Sequence, residues 1–369
     1  MWPTPMRPTP GRAADRRRSS RRKTLEVEES MRAVWITKAG GPEVLAVRET
    51  PDPQPGRGEV RIAVRACGLN FAEVMARQGL YPDAPKPPSV VGYEVAGVVD
   101  AVDAEVTGLE VGQRVLALVR FGGHADTVCV PAARVLPMPD GLDFIEGAAI
   151  PVNYLTAYHM LFRVANLRPE ARVLVHMAAG GVGTAVLQLC RTVPGVVTFG
   201  TASAAKHAVL REEGCTHPID YRTEDYVARV RELTGGEGLD LVLDSLGGRD
   251  WKRGMSLLRP VGQLIAYGFA NLSTGERRSL RRLVGQLTGV PLLTPYGMMD
   301  RNHTVSGVNL GHLWERTDLL REELTALLDL WREGAIKPRI DQVFPFEEAA
   351  AAHRRIGERR NIGKVVLVP

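Results

Sequence analysis

The chain has 369 residues, of which 44% are hydrophobic, and this is long enough for two domains with a sizeable core. No apolar stretch reaches the roughly 18–20 residues that a membrane span needs, so we expect a soluble protein. The four cysteines lie far apart without CxxC spacing, which indicates neither a zinc ribbon nor a disulfide framework and favours the reducing cytoplasm.

Residues 1–30 predict a disordered basic tail, because this Pro-, Arg- and Ser-rich stretch holds too little apolar surface to offset the entropy of ordering it. They carry eight Lys/Arg and four Asp/Glu, and so contribute most of the net charge of +5. Since the rest of the chain is nearly neutral, the charge does not point to a nucleic-acid partner. The tail has no apolar segment of a secretory signal; a transit peptide is an alternative, although no amphipathic helix is visible.

Residues 31–152 predict a small β-barrel or sandwich. They contain short strand-like runs separated by Gly/Pro clusters such as PDPQPGRGE. Strands this short, at this spacing, are typical of barrels and sandwiches. The runs are RAVWIT, EVRIAVRACG, EVAGVVDAV, QRVLALV and DTVCVP.

From about residue 170 to 310 strands and helices alternate, which predicts a parallel sheet covered by helices. VLVHMA, VVTFGTAS, LDLVLDSLG and GQLIAYGFA are the expected strands. GTAVLQLCRTV, AAKHAVLREEG and WKRGMSLLRP are the expected helices. Two amphipathic helices and a last strand, GKVVLVP, complete the chain.

Residues 272–302 form an unusual basic insertion that contains the cluster RRSLRR beside LVGQL. One interpretation is an amphipathic helix at a membrane or partner surface. The alternative is a solvated helix, or a lobe that covers the active site.

Three glycines in the run Gly180-Gly181-Val182-Gly183 lie between an apolar strand and an apolar helix, which predicts a dinucleotide-binding turn. We expect the turn to need φ values that only glycine adopts cheaply, and the absence of a Cβ to let a pyrophosphate approach. The helix that starts near Val182 would direct its free N–H groups at the phosphates.

The second strand of this unit predicts NADPH rather than NADH. An NAD site usually carries an acid about 20 residues past the loop, yet here the strand ends Thr201-Ala202-Ser203 and Lys206 follows. Hydroxyls and a cation in place of a carboxylate favour a 2′-phosphate. Tyr221 would add a hydroxyl or stack on the adenine. The alternative for Lys206 is a solvated lysine in the first turn of a helix.

Several motifs together resemble the quinone oxidoreductase branch of the medium-chain dehydrogenase/reductase superfamily, from about Met31 to the end. They are VRACGLNFAEVMARQGLYP, GYEVAGVV, VLVHMAAGGVG, IDYRTEDY, LDSLGG and NIGKVVLVP. Within that branch, LNFAEVMARQGLY, VNYLTAY, FGTASAAKH, THPIDY and the insertion are similar to the vesicle amine transport protein subgroup.

The resemblance implies an α/β fold with a GroES-like β-barrel domain and a Rossmann doubly wound parallel sheet. The expected boundaries are a tail over 1–30, a catalytic domain over 31–152, an NADPH-binding domain over 153–310 and a returning segment over 311–369. The resemblance also implies a homodimer through the strand in HTVSGVNL, residues 303–310.

The resemblance also bears on zinc. Relatives that use catalytic zinc carry a Cys after the second long strand and a His in a GHE triplet. Here Cys67 is followed by Gly68-Leu69-Asn70, and Tyr93 stands in place of the histidine. Since zinc needs three or four close N, S or O ligands, we expect no metal, and Cys67 as a buried small residue.

The expected catalytic residues are Asn70 and Tyr81, with Tyr93 a weaker candidate. The family places this Asn beside the nicotinamide, and its amide would be a hydrogen-bond donor. Tyr81 would donate a hydrogen bond or a proton; the alternative for both tyrosines is an aromatic wall. His176 is expected to be a satisfied core histidine and Asp244 a structural acid. The resemblance implies further cofactor contacts from Asn70, Thr156, Ser245, Tyr267, Gly268 and Asn361.

The predicted function is NADPH-dependent hydride transfer to a quinone or an α,β-unsaturated carbonyl without zinc, because the nicotinamide carries the chemistry. One alternative is an NADPH-binding protein that acts on membranes or partners with little turnover, which the basic insertion favours. Another is an enoyl-thioester reductase.

Overall fold

Two large sheets and one small sheet organise the chain in the computed structural model. The structure describes residues 30–272, 285–286 and 288–369. The predicted disordered tail, apart from Ser30, and residues 273–284 and 287 of the basic insertion lie outside the described residues.

The N-terminal part is built of short strands, as the sequence predicts. It also contains two short α-helices, α1 (Phe71–Arg77) in its middle and α2 (Phe144–Gly147) near its end. The strands are β1 (Ser30–Ile36), β2 (Leu45–Pro51), β3 (Glu59–Leu69), β4 (Ser89–Val90), β5 (Glu94–Val102), β6 (Arg114–Leu118), β7 (Thr127–Pro131) and β8 (Val135–Pro137).

The middle of the chain forms a six-stranded sheet in which every pairing is parallel. Its strands are β9 (Arg172–Val175), β10 (Val197–Ala202), β11 (His217–Asp220), β12 (Leu239–Asp244), β13 (Leu258–Ala266) and β14 (Thr304–Gly307), in the order β11-β10-β9-β12-β13-β14. The α-helices described in this part are α3 (Asn153–Tyr158), α4 (Gly181–Cys190), α5 (His207–Glu212), α6 (Tyr226–Leu233), α7 (Arg249–Met255) and α8 (Pro295–Arg301). This doubly wound sheet confirms the predicted fold class.

The C-terminal part returns to the N-terminal strands. It comprises α9 (Thr317–Arg332), β15 (Ile340–Pro345), α10 (Ala349–Gly357) and β16 (Lys364–Val368). β16 pairs antiparallel with β3, with Val365 opposite Leu69 and Leu367 opposite Cys67. The second large sheet therefore has the order β15-β16-β3-β5-β6-β8, and β7 also pairs with β3.

A shared apolar core joins the two large sheets. One cluster contains Leu116 and Leu136 of the N-terminal strands together with Val173 of β9, Leu187 of α4 and Leu324 of α9, all buried. Close packing of this kind holds neighbouring elements in a defined relative position. Among the described residues, no helix has the length and apolar content needed to cross a bilayer.

Candidate cofactor site and the buried network beside it

The glycine loop connects β9 to α4. Gly180 is the N-cap of α4, with φ −79°, and neither Gly181 nor Gly183 has a positive φ. The expectation that this turn needs glycine for its backbone angles is therefore wrong, and the positive φ, 53°, falls on Met177.

The glycines of the loop are required for close packing instead. A Cβ on Gly183 would lie 2.6 Å from the backbone of Ala178, and a Cβ on Gly181 would overlap the side chain of Asn153. The helix start therefore lies directly against the preceding turn and against α3. The first N–H groups of α4 have no acceptor within the helix, so this helix end would stabilise a phosphate placed against it.

A cavity of about 250 Å³ lies next to the glycine loop. Six of the residues predicted from sequence line it: Gly180, Thr201, Ser203, Lys206, Tyr221 and Asn361. Thr156 lies in α3, where its hydroxyl donates to Val152 O at 2.7 Å. Gly181, Val182 and Gly183 form the first turn of α4, and Ser245, Tyr267 and Gly268 lie at the ends of β12 and β13, outside the lining.

Lys206 reaches the cavity from the turn after β10. Its Nζ donates to Arg359 O and Asn361 O, at 2.7 Å each. The ammonium therefore connects the turn between α10 and β16 to the cavity. Burial lowers the pKa of Lys206. Arg359 also lines the cavity, and sequence analysis missed it. The sequence offered one indication of Arg359: it lies two residues before Asn361, which the resemblance implies as a cofactor contact.

The far end of the cavity contains a group of residues that sequence analysis also missed. The guanidinium of Arg253 lies over the ring of Tyr226, 4.3 Å from its centroid. The Tyr226 hydroxyl donates to Asp250 Oδ1 at 3.1 Å, and Asn271 Nδ2 donates to Asp250 Oδ2 at 2.9 Å. The cation–π contact holds the Arg253 guanidinium against the Tyr226 ring, and Asp250 in turn holds the Tyr226 hydroxyl. These residues come from three separate elements, so no local motif announces them.

The carboxyl ends of the central strands bring polar side chains beneath the cavity. His176 Nδ1 lies 3.1 Å from Thr201 Oγ1, but Nε2 is buried and has no hydrogen-bond partner among the described residues. The prediction of a fully satisfied histidine is therefore wrong. Asp244 Oδ1 accepts the N–H groups of Leu246 and Gly247 at 2.7 and 2.9 Å, in keeping with a structural acid.

Asn70 lies at the junction of β3 and α1, where it is the N-cap of the helix. Its backbone N–H donates to Glu73 Oε2 at 2.7 Å, in a reciprocal capping box. Its side-chain Nδ2 contacts two carboxylates, Glu94 Oε1 at 2.9 Å and Glu73 Oε1 at 3.3 Å. Both N–H groups of the amide are therefore engaged within the protein.

Lys364 completes this group, which we call the Asn70 network: Asn70, Glu73, Glu94 and Lys364. Its Nζ donates to Asn70 Oδ1 at 2.6 Å and also to Glu94 Oε1. The side chains of Glu94 and Lys364 are only 0% and 3% exposed. Glu94 Oε2 accepts Val152 N at 2.7 Å, which links the network to the start of α3.

Glu73 is also fully buried, and burial raises the pKa of its carboxyl to about 7, opposed by the charge of Lys364. Glu73, Glu94 and Lys364 are not among the site residues predicted from sequence. The signal in the sequence is that each is a charged residue beside or within an apolar run.

Tyr81 and Tyr93 belong to an aromatic group beside the network. The Tyr93 ring centroid lies 6.3 Å from that of Tyr81, 5.3 Å from Phe121 and 6.3 Å from Trp314. Burial raises the pKa of both phenols, which keeps them protonated. The loop after Tyr81 contacts the segment after β14, since Asp83 Oδ2 lies 3.0 Å from His312 Nε2.

The side chains at the positions expected for zinc do not provide a zinc donor set. Cys67 is buried, its Sγ lies 3.6 Å from Leu367 O, and burial raises the pKa of its thiol well above the ordinary value. Tyr93 is packed among aromatic rings. In the part of the chain that the structure describes, no group of three or more His, Cys, Asp or Glu side chains could hold a metal ion.

Two family models match the sequence. Residues 56–140 match the alcohol dehydrogenase GroES-like domain and residues 213–367 match the zinc-binding dehydrogenase family. The chain is 48% identical over 341 residues to a synaptic vesicle membrane protein VAT-1 homolog of Rattus norvegicus, covering 92% of this chain and 84% of the relative. It is 36% identical over 334 residues to a quinone oxidoreductase of Pseudomonas aeruginosa, covering 89% and 97%.

Solved structures give the same result. The human synaptic vesicle membrane protein VAT-1 homolog-like protein matches with a TM-score of 0.80 and 40% identity, over 92% of this chain and 98% of that chain. Escherichia coli quinone oxidoreductase complexed with NADPH matches with a TM-score of 0.80 and 28% identity, over 92% and 100%. These matches confirm the resemblance that the motifs carry.

Proposed function

The chain belongs to the medium-chain dehydrogenase/reductase superfamily, and within it to the family of VAT-1 homologues, and from this premise we propose an NADPH-dependent oxidoreductase. In this proposal it transfers a hydride to a quinone or an α,β-unsaturated carbonyl without zinc. The observation that carries it is the cavity beside the glycine loop, which is lined by Lys206 and Arg359. A carboxylate at the end of β10, which would favour NADH, is absent from the sequence there.

The described residues fit a dinucleotide. The first turn of α4 would hold the pyrophosphate, and Ser203, Lys206 and Arg359 would surround a 2′-phosphate. Among the described residues the buried Nε2 of His176 has no hydrogen-bond partner, and a bound cofactor would satisfy it. The proposal keeps the domain boundaries 31–152, 153–310 and 311–369, with the cofactor between the first two.

When bound, the reduced nicotinamide supplies a hydride to the acceptor. The protein must then hold the acceptor in place and stabilise negative charge on its oxygen. Tyr81 is the better donor of the two predicted catalytic residues, because both N–H groups of Asn70 already bind carboxylates. Asn70 contributes a fixed polar surface at the end of β3. Reduction of a quinone needs little help, since the hydroquinone anion takes its protons from water.

The test is oxidation of NADPH by the purified protein, followed by absorbance, with a panel of ortho- and para-quinones and short enones. NADH serves as the cofactor control, and a chelator is present throughout. Turnover with NADPH that is insensitive to the chelator supports the proposal. Turnover that the chelator abolishes contradicts the zinc-free part of it, and tight NADPH binding with no turnover contradicts the enzymatic part.

A second candidate is a membrane- or partner-binding protein that holds NADPH with little turnover. The observation in its favour is a set of exposed apolar side chains within the basic insertion: Leu292 is 92% exposed, Tyr296 73% and Met299 68%. Sedimentation with anionic liposomes, with and without residues 272–302, tests this candidate, and no binding would end it.

We further propose a cytoplasmic homodimer. β14 is the last strand of the six-stranded sheet, and in the described part of the chain no further strand pairs with its outer side, so a second copy of the chain could pair there. Light scattering on the purified protein, with Val305→Pro as the disrupting variant, tests this point. A monomeric wild-type protein would contradict it.

A further inference from the structure

Three ionisable side chains surround the amide of Asn70 at the end of β3. Glu73 and Glu94 are 0% exposed and Lys364 is 3% exposed. Burying such groups is unfavourable unless each is paired and hydrogen-bonded. The capping box of α1 accounts for Glu73, but it does not account for Glu94 or Lys364.

The sheet register delivers Lys364 to this place. Val365 pairs with Leu69 across the antiparallel β16–β3 ladder, so Lys364 stands opposite Asn70. Gly68 makes the room, because a Cβ there would lie 2.6 Å from Lys364 Cε and would also overlap Glu94 Oε1. The ion pair therefore occupies a space that the backbone leaves for it.

The charges determine which way the amide faces. Asn70 Oδ1 receives the ammonium of Lys364, while Nδ2 faces Glu94 and Glu73. Turning the amide over would place its NH₂ group against an ammonium and its oxygen against two carboxylates. Only one orientation of the amide satisfies all of these partners. A neutral side chain at position 364 would remove the ammonium that binds Asn70 Oδ1 and so favours this orientation.

The segment that carries Lys364 also lies along the predicted cofactor site. Lys206 binds the carbonyls of Arg359 and Asn361, and Gly363 N donates to Ala179 O in the glycine loop at 2.8 Å. Six consecutive residues, 359–364, thus connect the nucleotide cavity, the glycine loop and the Asn70 network. The position of Lys364 is set by the same contacts that shape the cofactor site.

We propose that Lys364 and Glu94 are positioning residues that lock the Asn70 amide in one orientation next to the site of hydride transfer. The inference rests on the proposed function, because it assumes that the nicotinamide binds beside Asn70. Neither residue is assigned contact with the acceptor. They act through Asn70, which sets the polar surface against which the acceptor and nicotinamide are aligned.

The first experiment is a double-mutant cycle with Asn70→Ala and Lys364→Met. Lys364→Met alone should lower kcat by about tenfold or more and change the NADPH Kd by less than about threefold, because alignment rather than binding is lost. In the Asn70→Ala background the same change should lower kcat by less than about twofold, since its effect passes through the missing amide. An equal loss in both backgrounds, or a loss confined to Kd, would overturn the proposal.

The second experiment does not depend on turnover. Selective ¹⁵N-asparagine labelling, with Asn70→Ala to assign the signal, reports the Asn70 side-chain NH₂ group in the free protein. Lys364→Met should shift this signal and speed its exchange with solvent, and the conservative Lys364→Arg should restore both. An unchanged signal in Lys364→Met would overturn the lock. If the wild-type protein turns over no acceptor, the proposed function fails while this experiment still decides the inference.

The matched control is Glu323→Gln, which also removes a buried carboxylate. Glu323 lies in α9, is 1% exposed, and pairs with His159 at 3.0 Å and Arg163 at 3.2 Å. It should lower stability without moving the Asn70 signal, so it separates general destabilisation from loss of the lock. Should Lys364→Met not fold, the double variant E94Q/K364M takes its place in both experiments, with the same expected and overturning results.

Discussion

The nucleotide cavity and the Asn70 network are both polar, but they are built in opposite ways. The cavity is open, and it leaves buried polar atoms such as His176 Nε2 without partners among the described residues. The network is closed, and the amide of Asn70 has each of its polar atoms engaged. The first arrangement is suited to receive a ligand, and the second is suited to hold one side chain still.

The largest expected effect comes from breaking the closed region. Glu94→Ala leaves Lys364 as an unpaired buried charge and should lower the free energy of unfolding by about 3–5 kcal/mol. Asp250→Ala, in the open cavity, should cost about 1 kcal/mol, because water can replace its partners. Chemical denaturation of both variants measures the difference. Equal losses in the free energy of unfolding would contradict the contrast between a closed network and an open cavity.

The next effect is the pH dependence that Glu73 confers. Its pKa is raised from 4.5 to about 7, so the folded protein binds this proton more tightly than the unfolded chain does. The contribution to stability is therefore fully present below pH 4.5 and is lost as the pH rises through about 7. Glu73→Gln should remove this pH-dependent loss in the free energy of unfolding, which amounts to about 3 kcal/mol.

Denaturation at a series of pH values tests this prediction through the difference in slope between wild type and Glu73→Gln. A constant offset from the lost hydrogen bond does not affect the comparison. Parallel curves between pH 4.5 and 7 would show that Glu73 is ionised throughout this range in the folded protein, contrary to the expected pKa.

In the open cavity, a substitution should change the preference for NADPH over NADH. Lys206→Ala should weaken NADPH binding by about 2 kcal/mol and NADH binding by much less, because a charge-assisted bond to the 2′-phosphate is lost. Fluorescence titration of both cofactors measures this, and Lys337→Ala, an 80% exposed lysine side chain, is the control. Equal losses for the two cofactors would show that Lys206 only anchors the carbonyls of Arg359 and Asn361.

The two regions also differed in how far sequence could predict them. Gly180, Thr201, Ser203, Lys206 and Tyr221 belong to one strand–turn–helix unit and its continuation, where spacing along the chain carries the geometry. The predicted sheet and barrel follow from the same kind of local pattern.

The site residues that could not be predicted from sequence depend on contacts between residues far apart in the chain. Lys364 meets Asn70 across 294 residues and Glu94 across 270, through the register of β16 on β3. No local pattern carries that register. The packing role of the loop glycines was missed for a related reason, since the neighbour that excludes a Cβ at Gly181 is the side chain of Asn153 in another helix.

The smallest expected effect concerns Tyr81, the proposed donor to the acceptor. Tyr81→Phe keeps the ring and removes the hydroxyl, so a proton donor and an aromatic wall give different results. If Tyr81 donates, kcat/KM for enones should fall by about tenfold, because the carbanion-like product needs a proton. For quinones the loss should stay below about threefold, because water can protonate the hydroquinone anion.

Steady-state rates with one enone and one para-quinone, at saturating NADPH, make this comparison. Tyr296→Phe, a 73% exposed tyrosine, is the control and should change neither rate. Unchanged rates for both acceptors in Tyr81→Phe would assign Tyr81 to the wall that Tyr93, Phe121 and Trp314 already form. In that case the donor must be sought among the groups that line the open region, since both N–H groups of Asn70 are held by Glu73 and Glu94.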